Sequence, residues 1–66
     1  MTELLTARER EVLDHVTRPH GSRAEAAKAL GISPHTVKAH LASIYAKLGV
    51  DSPGQALRAL DLARMT

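Results

Sequence analysis

Glu25-Ala26-Ala27-Lys28-Ala29-Leu30-Gly31-Ile32-Ser33-Pro34-His35-Thr36-Val37-Lys38-Ala39-His40 contains two helices and the corner between them. Before Gly31 the apolar side chains of Ala26, Ala27 and Leu30 recur at helical spacing, and after Ser33 those of Val37, Leu41, Ile44 and Leu48 do the same. Gly31 supplies the left-handed residue that ends the first of these helices. Ser33 followed by Pro34 starts the second, because proline at the first helical position gives up only an amide that has no intrahelical partner. Ile32 and Val37 bracket that cap at the spacing of a hydrophobic staple. Helices joined by only Gly31, Ile32 and Ser33 must cross steeply, with Ala27 small enough for close approach and Ile32 and Val37 filling the corner. The segment predicts a helix-turn-helix.

Outward from this corner the same punctuation repeats. Thr6 with Glu9, Ser22 with Glu25 and Ser52 with Gln55 each place a hydroxyl acceptor three residues before an acidic or amide side chain, the pattern of a capping box. Pro19 to Gly21 closes the first helix and Gly49 the third. Helices are therefore expected at about 7–17, 23–30, 34–48 and 53–65, with a stripe of Val12, Leu13 and Val16 on the first. No stretch alternates as a half-buried strand would, so the expected fold is all-α, a four-helix bundle containing a helix-turn-helix, in one domain over residues 1–66. The fourth helix carries two apolar faces. Ala56, Leu57, Leu60 and Ala63 are expected to point inward, which leaves Ala59, Leu62 and Met65 as a candidate homodimer surface.

Composition narrows the function classes. Of the 44% apolar residues eleven are alanine, and Tyr45 is the one aromatic, so the core is thin and a chain this short is expected to gain stability from a partner. With no cysteine there is neither a disulfide framework nor a thiol nucleophile. No apolar run approaches the ~20 residues of a membrane span, and the start lacks the basic-then-apolar order of a signal peptide, so the cytoplasm is expected. His15 with His20, and His35 with His40, are five apart and not four, which argues against a helical metal site. Nor is there a glycine-rich phosphate loop or a cleft to tune carboxylates, so neither a cofactor nor an enzymatic activity is expected.

Charge is unevenly spread although the net is only +2. Residues 1–17 carry an excess of acid and 50–66 balance, whereas 18–49 hold Arg18, Arg23, Lys28, Lys38 and Lys47 against Glu25 alone. A polyanion would therefore meet the central segment. The outer face of the third helix, opposite Leu41, holds His35, Ala39, Ala42, Ser43 and Ala46, flanked by Thr36, Lys38 and Lys47. A merely solvated face would carry more Glu and Lys. Small side chains let a helix seat deeply in a major groove, with few long side chains probing base edges.

Leu5-Thr6-Ala7-Arg8-Glu9-Arg10-Glu11-Val12-Leu13, then Glu25, Ala27 and Leu30, then Ile32-Ser33 with Thr36-Val37-Lys38-Ala39-His40, and finally Lys47-Leu48-Gly49-Val50 resemble the LuxR-type (GerE-like, NarL/FixJ effector) DNA-binding domain. The resemblance covers about residues 4–63. It implies a winged-helix-like DNA-binding fold without a wing and sequence-specific binding of double-stranded DNA in bacterial transcription regulation, as a homodimer on two half-sites. It places Lys38, Ala39 and Ala42 toward bases, and Ser22, Arg23, Ser33, His35, Thr36 and Lys47 toward the phosphate backbone. His40 is expected half-buried, in packing. The family context implies a stand-alone regulator or the effector part of a response regulator, with a receiver or sensor domain and RNA polymerase as partners. The alternative is a helical protein-interaction module that has lost DNA binding. The chain departs from the family in Ala26, where isoleucine is usual, in a first loop one residue longer, and in Pro53, where an arginine is common. None of these touches the third helix.

Overall fold

The computed structural model describes residues 5–64, and among them every regular element is a helix. These are α1 (Ala7–Val16), α2 (Arg23–Leu30), α3 (Pro34–Leu48) and α4 (Pro53–Arg64), within a residue or so of the expected spans. Met65 lies outside the described residues. The all-α arrangement with its helix-turn-helix is as expected. No described helix is long and apolar enough to cross a membrane.

Local hydrogen bonding explains the boundaries. Thr6 accepts from the Glu9 amide at 3.1 Å while the Glu9 carboxylate accepts from the Thr6 amide at 2.9 Å, a complete capping box. Ser22 and Ser33 cap α2 and α3 by accepting from the amides of Glu25 and Thr36, each at 3.1 Å. At α4 the exchange is displaced by one residue: Ser52 accepts from the Gln55 amide, but the Gln55 side chain accepts from Asp51. Gly31 and Gly49 both adopt φ +68, and the following amides of Ile32 and Val50 donate back to the Ala27 and Tyr45 carbonyls. This turn swings α3 away from α2. α1 ends at Val16, where Thr17 donates both its amide and its hydroxyl to the Leu13 carbonyl. Gly21 closes the longer loop for a different reason. A Cβ there would overlap the His15 carbonyl oxygen and come within 2.8 Å of that of Val16, so the chain has room only for hydrogen.

α1 and α3 touch each other and both flanking helices, while α2 and α4 do not meet. Val12 and Leu13 of α1, Ala26 and Ala27 of α2, and Val37, Leu41 and Ile44 of α3 form the buried centre, with Leu5 closing one end. The expected stripes on these helices face this centre, with Val16, Leu30 and Leu48 at their ends only partly buried. The fourth helix requires a correction. Ala56 is fully buried and Leu60 partly so, but Leu57 is 41% exposed and Ala63 is exposed, so neither belongs to an inward face. α4 meets the core along a narrow line, and Leu57, about 100° round from Ala56, falls at the mouth of a shallow groove beside Arg10, Glu11 and Asp14 of α1. Ala59 is half-buried, and Leu62 is 55% exposed.

Candidate nucleic-acid interface

Burial of Val37, Leu41 and Ile44 fixes which side of α3 faces outward. His35, Lys38, Ala39, Ala42 and Ala46 are all exposed on that outer side, and no acidic residue occurs anywhere in α3. The result is a low-relief helix surface with a lysine at its edge. His40 is half-buried at the boundary, as expected.

The starts of α2 and α3 lie in the same basic segment. Ser22 and Ser33 are exposed yet already serve as caps, and the Ser33 and Thr36 hydroxyls lie 3.0 Å apart in a hydrogen bond with each other. Their oxygens are thus oriented by the helix starts they cap, where the positive end of each helix dipole emerges. Arg23 is exposed at the head of α2 and close enough to Tyr45 to act on its phenol. Burial pushes the Tyr45 hydroxyl above its ordinary pKa, against the pull of Arg23 and with the help of Asp51.

One group was legible from sequence only as a cap. Glu9 has a side chain just 6% exposed, and besides its bond from Thr6 it accepts from Ser43 Oγ and from Lys47 Nζ, each at 2.7 Å. Ser43, expected on the outer face, is half-buried and turned to this carboxylate, and Lys47, expected at a phosphate, is ion-paired with it. Burial alone would raise the Glu9 pKa, but the hydrogen bonds from Lys47, Ser43 and Thr6, with the lysine charge, outweigh it and hold the carboxyl at about 2. Glu9 is therefore an anion at neutral pH, and it ties the start of α1 to the last turns of α3. Ser43 and Lys47, one helical turn apart on the same flank, were the available signal for a partner on another helix.

Residues 3–60 match the family model described as bacterial regulatory proteins, luxR family. The transcriptional regulatory protein TdiR of Thauera aromatica is 50% identical over 50 residues, which are 76% of this chain and 22% of that protein. The putative HTH-type transcriptional regulator YhjB of Escherichia coli (strain K12) is 41% identical over 59 residues, 89% of this chain and 29% of that protein. The chain thus spans less than a third of the length of these curated relatives. The matched family is one of DNA-binding regulators and not of enzymes. A match over residues 3–60, which runs through α1, α2 and α3 and into α4, means that this chain belongs to the luxR family of bacterial regulatory proteins.

Proposed function

We propose that residues 1–66 form a single domain that binds double-stranded DNA sequence-specifically and regulates bacterial transcription from the cytoplasm, as a homodimer on two half-sites. The observation that carries this is the outer face of α3, which is exposed, free of acid and built from small side chains inside the basic segment. α3 lies in the major groove. Lys38 donates to guanine O6 and N7, and Ala39 and Ala42 meet thymine methyl groups. Ser22, Arg23, Ser33, His35 and Thr36 hold phosphates at the two helix starts and set the register. Ala59 and Leu62, with Met65, form the dimer contact. The domain works alone or behind a receiver or sensor domain, and it reaches RNA polymerase from the promoter.

Binding to a duplex should depend steeply on salt. With Arg23 and Lys38 as the cations each monomer brings to the duplex, log K is expected to fall against log salt with a slope of roughly −2 per monomer and roughly −4 per dimer. A flat response in a fluorescence-anisotropy titration would overturn the nucleic-acid function.

Lys38→Ala tests the base assignment separately. Loss of a bidentate contact should cost about 1–3 kcal/mol on the preferred site and relax the preference at one base pair. Selection from a random DNA pool reads this directly. If the variant keeps the wild-type preference at every position, Lys38 contacts phosphate and not a base.

A further inference from the structure

From the pairing of Lys47 with Glu9 we infer that Glu9 withholds one cation of the recognition helix from the DNA backbone, a role that presupposes the DNA-binding function proposed above. Lys47 lies on the flank of the outer face of α3, where a free ammonium would meet a phosphate strand. Its Nζ is instead 2.7 Å from Glu9 Oε1, with the lysine side chain 36% exposed and the glutamate 6%. An approaching phosphate meets a neutral pair. Counterions are released from DNA in proportion to the net positive charge brought to it, so a lysine neutralised from within adds little to the sequence-independent part of the affinity.

Lys47 does not readily change partners. Leaving Glu9 for a phosphate would strand a buried carboxylate that has lost its one cationic partner among the described residues and keeps the Thr6 amide and the Ser43 hydroxyl as neutral donors there, and an uncompensated buried charge is costly. That carboxylate is fully ionised at neutral pH, so the mask operates under ordinary conditions. Ser43 and Lys47 hold it from successive turns of α3, which also fixes the tilt of the recognition helix against α1. Glu9 is thus a positioning residue that tunes nonspecific DNA affinity.

The test compares the wild-type chain with Glu9→Gln and with the double variant Glu9→Gln/Lys47→Gln on a short duplex of random sequence, at several salt concentrations. Glutamine keeps the capping box and removes the charge, so Lys47 becomes available to DNA. Glu9→Gln is expected to bind roughly five- to tenfold more tightly at about 0.1 M salt, with a slope steeper by about 0.9 per bound monomer. The double variant should return to the wild-type slope. If Lys47 is an ordinary phosphate ligand, the double variant will instead be shallower than wild type by about the same amount, and Glu9→Gln will leave the slope unchanged. Either result overturns the inference. Should the variants not fold by circular dichroism, the side-chain carboxyl carbon shift of Glu9 in the wild-type chain decides. It stays constant on adding excess duplex if the pair persists, and a shift toward that of an unpaired carboxylate refutes the mask. Absence of salt-dependent binding by the wild type would be a failure of the DNA-binding function itself, separate from either outcome.

Discussion

Acidified from about pH 4.5 toward pH 2, the domain is expected to lose a large share of its stability, and Glu9 is the group responsible. Its carboxyl ionises at about 2 in the folded chain against an ordinary value of 4.5. A depressed carboxyl pKa adds stability that is complete above the unfolded value and disappears as the pH falls through the folded one. At about 1.36 kcal/mol per pH unit the interval corresponds to about 3 kcal/mol, and water at the partly exposed Lys47 ammonium trims this to roughly 2. A domain of this length has on the order of 3–10 kcal/mol in total, so the loss brings it near its unfolding threshold. The exposed pairs Arg8 with Glu11 at 3.6 Å and Arg18 with Asp14 at 2.8 Å contribute little by comparison. Urea unfolding at a series of pH values checks this. The wild type should weaken steeply below about pH 4.5, whereas Glu9→Gln should begin less stable and stay nearly level over the same interval. Parallel profiles for the two proteins would show that the ion pair carries no net stability.

The contrast between Glu9 the cap and Glu9 the ion-pair partner shows what a sequence of this kind discloses. Thr6, Ser22, Ser33, Ser52, Gly31 and Gly49 act on amides and carbonyls a few residues away, so their chemistry is written locally and the four helices can be placed from it. The corner at Gly31 was equally legible, because a left-handed glycine, a staple and a proline start occur in consecutive positions. Ser43 and Lys47 are 34 and 38 residues from Glu9, and spacing within one helix cannot tell which neighbouring helix will present a charge to it. The phase of α4 failed for a related reason. A short helix that meets the core through one small side chain, Ala56, and only partly through Leu60 gives a weak periodic signal. The large Leu57 was drawn inward by its size, although the packing line passes it by. On α3, where four branched side chains repeat at regular spacing, no such ambiguity arose, and the outer face was read correctly except at Ser43.

Replacing Leu62 by glutamate is expected to abolish cooperative binding to a paired DNA site while leaving the fold intact. Leu62 is the more exposed of the two large apolar side chains that α4 presents to solvent, and its side chain takes no part in the buried core. In a monomer the substitution therefore places a charge where water already is, which costs little. In a symmetric dimer the same residue from each copy approaches the same contact, so two glutamates would be desolvated side by side. Circular dichroism should show wild-type helicity and nearly the same melting temperature. Affinity for a single half-site should stay within about twofold, whereas the second monomer should lose the advantage that contact with the first provides. Sedimentation on single and paired sites separates these quantities. If the variant unfolds, Leu62 packs against the described core in solution; if cooperativity survives, the dimer contact lies elsewhere, and the exposed Leu57 at the mouth of the α1–α4 groove becomes the next residue to change.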